Sequence, residues 1–225
     1  YGVTHESLLF PSFTETMQSL IALIQTPELW NSIWLSHQAM ILGFLSALVV
    51  GIPIGVLAGY SRVFDNALEP YIRLMIVIPK SALVPIFILA LGIGVVARAW
   101  VIFLYVVVYI IVNVRTGVRQ VDDNLLEMAH SFGASRFHIW TKILLPGAYP
   151  ALVAGLRIGL GRAMSGMITV ELLLSAVGIG RLIMRFRGEF DAGSAYAVVL
   201  VVLIEALLLS SGLRWLERRL THWAQ

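Results

Sequence analysis

Long apolar runs broken by short polar stretches organise the whole chain. Between 39 and 60 there are 22 consecutive residues without a charge, and about 20 apolar residues suffice to cross a bilayer core as a helix. The pattern predicts spans at 34–60, 71–91, 97–114, 150–175 and 195–213. The first contains Pro53 with Gly51, Gly55 and Gly59, which helices in lipid tolerate better than soluble ones do. A polar link, 61–69, leads to the second, which is interrupted by Pro79, Lys80 and Pro85. Gly92, Ile93 and Gly94 then make a tight turn into the third. Ahead of the spans, 13–25 reads as a short amphipathic helix lying at an interface, with Ser12 before it and Pro27 after it. Residues 1–32 therefore form an external or interfacial segment, and 33–225 form the transmembrane domain.

Composition supports this reading. Residues are 59% hydrophobic and 13% charged, about half the charged fraction of a soluble domain. A net charge of +3 is compatible with a nucleic-acid partner, but the basic residues cap apolar runs and form no stripe, so none is expected. There are no cysteines, and the five histidines show no metal-ligand spacing, so no metal site is expected.

Lys and Arg positions orient the chain. Nine lie in one set of loops: Arg62, Arg73, Arg115, Arg119, Arg136, Lys142, Arg214, Arg218 and Arg219. Four lie in the opposite set: Arg98, Arg181, Arg185 and Arg187. The excess places the long polar loop, 115–147, and the C-terminus in the cytoplasm, and residues 1–32 outside. An external N-terminus without a signal peptide leads to the expectation of a further span upstream of Tyr1.

The long loop carries the most specific pattern. Asn124 is suited to cap a helix, with Glu127 reaching back in a capping box. Leu125, Met128, Ala129 and Phe132 follow at spacings of three and four, an apolar stripe. Gly133 suits a left-handed residue closing that helix. Ser135 is suited to cap a second helix carrying Phe137, Trp140 and Leu144, with Pro146 ending it. From periodicity alone, this is a pair of short amphipathic helices on the membrane surface.

In identity and spacing, Glu127, Met128, Ala129, Gly133, Ile143, Leu145 and Pro146 resemble the EAA loop of ABC importer permeases, with Met128 replacing the motif's middle alanine. The resemblance covers nearly all of the chain and is closest to the nitrate/sulfonate/taurine branch. Pro11 with Ser12, Gly51 to Gly55, Ile78 with Pro79, Gly155 to Arg157, Glu171 to Leu173 and Gly178 to Gly180 resemble that branch in order. It implies an all-α integral membrane protein, a type I ABC importer permease-like bundle with about five spans here and a sixth upstream. It also implies a homodimer, two cytoplasmic ABC ATPase subunits carrying ATP and Mg, and an external solute-binding protein. The ATPase-coupling residues would be Glu127, Met128, Ala129, Gly133, Ala134, Ile143, Leu145 and Pro146. No phosphate-binding loop motif occurs in the chain, so nucleotide chemistry belongs to a partner and this chain is not itself an enzyme.

Ionisable groups at membrane depth are functional candidates because burying them is costly. Lys80, Arg162, Glu171 and Glu205 are the candidates for lining a translocation pathway. Counted along a straight helix from Arg73, Lys80 is shallow enough to snorkel to the cytoplasmic surface. Glu171 precedes the glycine-rich loop as a hinge or gate. Glu205 lies mid-span, and Arg162 is too deep to snorkel. For Arg162 two readings stand, a pathway cation or a structural ion pair with Glu205. Gly155, Gly159, Ala163 and Gly166 make a small-residue stripe suited to close helix packing. An ATP-independent channel or secondary carrier is the alternative function. An intramembrane enzyme lacks paired catalytic groups at depth. The mixed charges do not select a solute.

Overall fold

The computed structural model describes residues 10–174 and 177–220, with side chains described to 215. His5, His222, the expected span end at Ser175 and the side chains of Arg218 and Arg219 fall outside the described residues. The first helix, α1 (Phe13–Ile24), opens with a capping box: the Glu15 N–H donates to Ser12 Oγ at 3.1 Å, and the Ser12 N–H donates to Glu15 Oε2 at 2.8 Å. Pro27, expected to follow the end of that helix, instead begins the next, α2 (Pro27–Tyr60). A proline in the first turn forfeits no helical hydrogen bond, so it starts a helix as readily as it follows one.

The second expected span differs most from its expectation. The polar link is helical, because α3 (Arg62–Val77) starts at Ser61, whose hydroxyl accepts from the Phe64 N–H at 3.3 Å. The helix stops before Pro79, with Ile78 extended at φ −57° and ψ 126°, as a residue preceding proline prefers. A 3₁₀ turn (Lys80–Leu83) leads into α4 (Val84–Leu91), and the chain bends by 88° across this break. One straight span is thus replaced by a broken one. The third is α5 (Val95–Arg119).

The long loop folds as α6 (Asp123–Ser131), α7 (Arg136–Ile139), a π-helical turn (Trp140–Leu144) and α8 (Leu145–Gly147). Then come α9 (Tyr149–Leu174), α10 (Gly178–Gly188) and α11 (Ala192–Leu220). Among the described residues, four helices, α2, α5, α9 and α11, are each long and apolar enough to cross a membrane, and the bent pair makes a fifth span if counted as one.

The core is built around α5, which packs most extensively on α2 and then on α9. Gly43, Ala47, Gly51, Gly55 and Gly59 recur every fourth residue on α2 and turn toward α5. From the other side, the Gly155, Gly159, Ala163 and Gly166 row of α9 meets Asn113, Ile110, Val106 and Tyr105 of α5. Ile110 is gripped by both rows: a methyl group at Gly51 would lie 3.0 Å from it, and one at Gly159 3.1 Å. Such small rows let backbones approach closely where lipid supplies no hydrophobic drive between helices. The outward faces of α2 and α11 expose Trp34, Val49, Leu207 and Leu208, as lipid contact allows.

Candidate functional sites at the two ends of the bundle

Two charge clusters and one exposed helix pair occupy opposite ends of the long helices. At the end where α2 and α5 begin and α9 finishes, Glu171 and Arg98 form a buried ion pair. Arg98 Nη1 donates to Glu171 Oε1 at 3.1 Å, and the two side chains are 3% and 0% exposed. The same Nη1 reaches the Leu35 carbonyl at 3.2 Å. The other carboxylate oxygen accepts from the Ser36 hydroxyl at 2.8 Å and the Gly180 N–H at 3.1 Å. The Ile179 N–H donates to Ser36 Oγ at 2.9 Å, so the start of α10 joins the cluster.

Gly178 is required here, because its φ is +72° and a Cβ would run into the Glu171 carboxylate and the Ser36 hydroxyl. Ile179, Leu182 and Phe186 fasten the buried face of α10. Glu28 of α2 holds its outer face through Arg185 Nη1 at 2.7 Å and Arg181 Nη2 at 3.1 Å. Glu171, expected as a hinge or gate, is therefore enclosed in a clamp joining α2, α5, α9 and α10. Arg98, a loop charge by its place in the sequence, is a member of this clamp. The signal was present: it is a lone cation inside an apolar run.

At the opposite end, carboxylates of α3 meet arginines of α5. Arg115 Nη1 donates to Asp65 Oδ1 at 3.0 Å and also pairs with Glu69, while Arg119 pairs with Asp65. Arg73 extends the network, its Nε 2.9 Å from Glu69 Oε1. A cavity of about 550 Å³ lies beside it, lined by Tyr60, Asp65, Arg119 and Asp123 and, from the short helices, Leu126 and Leu144.

The short helices share this end. The cap of α6 is Asp122, whose carboxylate accepts from the Asn124 N–H at 2.9 Å. Asn124 thus lies two residues past the cap, and Glu127 is exposed instead of closing a capping box. The C-terminus is as expected. Gly133 has φ +72°, its N–H bonds the His130 carbonyl at 2.9 Å, and the Ala134 N–H bonds the Ala129 carbonyl at 3.0 Å, a Schellman closure. Ser135 caps α7, accepting from the His138 N–H at 3.3 Å.

Of the expected apolar stripe, Ala129 alone is buried; Leu125 and Met128 are about half exposed and Phe132 is 84% exposed. Phe137 is exposed too, apart from buried Leu144. Ala134 and Ile143 are half-buried, Leu145 and Pro146 exposed. Pro146 sits inside α8 and does not terminate the preceding helix, again a first-turn position that loses no hydrogen bond.

The remaining depth candidates separate into two places. Arg162 stacks over the Tyr109 ring, 4.4 Å from its centroid, and makes no ion pair with Glu205. Glu205 keeps its Oε2 buried and without a hydrogen-bond partner. The structural Arg162–Glu205 pair is therefore not formed. Lys80 does not snorkel: its Nζ donates to the Met75 carbonyl at 2.7 Å and lies 5.9 Å from the Tyr105 ring centroid.

Apolar helices of spanning length, a broken second span and an exposed pair of short helices define a multi-pass α-helical membrane protein. The chain belongs to the family of binding-protein-dependent transport system inner membrane components, whose model matches 51–222. Within it, the chain is an ABC importer permease of the nitrate/sulfonate/taurine branch. It is 35% identical to the taurine transport system permease protein TauC of Escherichia coli, covering 87% of this chain and 71% of that protein. It is 29% identical to the nitrate import permease protein NrtB of a Synechocystis species, covering 92% and 78%. The fold matches the MetNI methionine ABC transporter in an inward-facing conformation with a TM-score of 0.69, at 20% identity, covering 92% of this chain and 98% of that one.

Proposed function

We propose that this permease works as a homodimer, driven by two cytoplasmic ABC ATPase subunits that carry ATP and Mg, and fed by an external solute-binding protein. It moves a small solute of the kind its relatives' names describe. The observation that carries the reading is the exposed apolar face of α6. Leu125, Met128 and Phe132 stand clear of the bundle on a helix closed by Gly133, where a partner's groove would cover them. Glu127, Met128, Ala129, Gly133, Ala134, Ile143, Leu145 and Pro146 then form the coupling segment. Ala129 and Leu144 root it in the bundle, next to the α3–α5 ion network.

Closure of the ATPase pair would move the docked helices together, and the spans would rock as rigid bodies between inward- and outward-open states. The solute path runs past Lys80 and Arg162 at mid-span. Glu171, enclosed by its clamp, acts as a structural anchor of the outer end. The test is co-purification of the ATPase with the tagged permease, followed by ATP-driven uptake in proteoliposomes containing the binding protein. Glu127→Lys is expected to weaken co-purification or uncouple hydrolysis from uptake. Full uptake by a permease that retains no ATPase would contradict the proposal.

A further inference from the structure

The ionisable groups at membrane depth looked mixed in sign, but the structure sorts them. Glu171 is neutralised by Arg98, and Glu205 sits apart, its Oε2 buried and without a hydrogen-bond partner. Lys80 and Arg162 remain, and both sit on the same face of α5. Tyr105 and Tyr109 are one turn apart, so their rings stand one above the other, about 6 Å apart along the axis. The Lys80 ammonium lies 5.9 Å from the first ring centroid and the Arg162 guanidinium 4.4 Å from the second. Neither has a carboxylate partner among the described residues. Arg162 is exposed and Lys80 half-buried, so each can reach a third group.

Their depth restricts what that group is. Tyr105 lies ten residues into α5 and Arg162 thirteen residues into α9, about 15 and 20 Å along helices crossing a core about 30 Å thick. Lipid headgroups do not reach that level. The break at Pro79 brings Lys80 there by ending α3 short and redirecting the chain. Ring faces attract cations only modestly, and two like charges in a poorly solvating interior call for an anion or a column of water. A planar guanidinium beside an ammonium suits an oxyanion, which accepts several charge-assisted hydrogen bonds at once.

We propose that Lys80 and Arg162, presented on Tyr105 and Tyr109, form a binding step for a small monovalent oxyanion within the permease itself. This rests on the reading of these two residues as lining the solute path. The site selects by charge inside the membrane, in addition to any selection by an external partner.

The test uses the purified permease–ATPase complex, titrated with sodium methanesulfonate or sodium nitrate while its thermal unfolding midpoint is followed. Ionic strength is held constant with sodium gluconate, whose longer anion is the reference. A ligand that binds the folded state raises the midpoint in a saturable way. The expected result is a saturable rise with at least one of the two anions. Its apparent affinity should fall about tenfold or more, the loss of one strong contact, in both Arg162→Gln and Lys80→Gln, and Arg162→Lys should recover part of it. If Lys80→Gln fails to assemble, the Arg162 pair decides. No saturable rise in the assembled wild type, or an equal rise in the variants, overturns the proposal. Assembly with the ATPase is read separately by co-purification, so failure of the anion site and failure of the importer reading are distinguishable.

Discussion

The two ends of the bundle use the same chemistry, carboxylate with guanidinium, in opposite surroundings. The Arg98–Glu171 pair is sealed, and its carboxylate is further bonded to Ser36 and Gly180. The α3–α5 network is open on its outer side: Asp65 is buried, but Arg119 is 44% and Glu69 31% exposed, and Arg115 is shared between two carboxylates. A sealed charge stripped of its partner has no water to replace it, so breaking such a pair is costly. An open network can exchange partners at little cost. One end is thus built as a fixed joint and the other as an adjustable one. The adjustable end adjoins the helices proposed to carry the coupling segment, where a transport cycle requires movement.

The largest effect expected from breaking this contrast comes from Glu171→Ala, which leaves Arg98 buried and unpaired. It should lower stability by about 3–5 kcal/mol, read as a large fall in the thermal midpoint of the purified complex. The double change Arg98→Met with Glu171→Leu should recover at least half of the loss, because a well-packed apolar pair replaces a buried ion pair at little cost. Single variants within about 1 kcal/mol of wild type would remove the distinction between the ends.

A smaller effect is expected at the open end. Glu69→Gln should cost about 1 kcal/mol, because Arg115 keeps Asp65 and the exposed Arg73 turns to water. Its consequence should diminish further in high salt, since exposed pairs are screened. A loss as large as that of Glu171→Ala, unaffected by salt, would show that this network is as rigid as the clamp.

What the sequence revealed follows the same division between local and distant information. Gly133, Ser12 and Ser135 were legible because a cap or a left-handed closure is decided within a few residues. The apolar spans were legible because length and hydropathy are local sums. Arg98 and Glu171 lie 73 residues apart, and no periodicity connects them. Lys80 was misplaced for a different reason: its depth was counted along a straight helix, whereas the chain turns by 88° at the break. The Asn124 cap failed because Asp122, two residues earlier, offers the same hydrogen bond and starts the helix sooner. The partner of Arg162 proved to be a ring, Tyr109, not the carboxylate that charge complementarity alone proposed.

The central claim is that α6, closed by Gly133, transmits ATPase movement to the spans. Gly133 holds φ +72° with open space around the position a Cβ would occupy, so Gly133→Val perturbs the backbone without a clash. A branched residue in that conformation costs about 1–2 kcal/mol and should reorient α6 while leaving the buried bundle folded. The direct measurement is ATP hydrolysis and solute uptake by the reconstituted Gly133→Val complex, side by side with wild type. The account predicts hydrolysis without matching uptake, or an ATPase that no longer stays bound; wild-type uptake per ATP hydrolysed would contradict it.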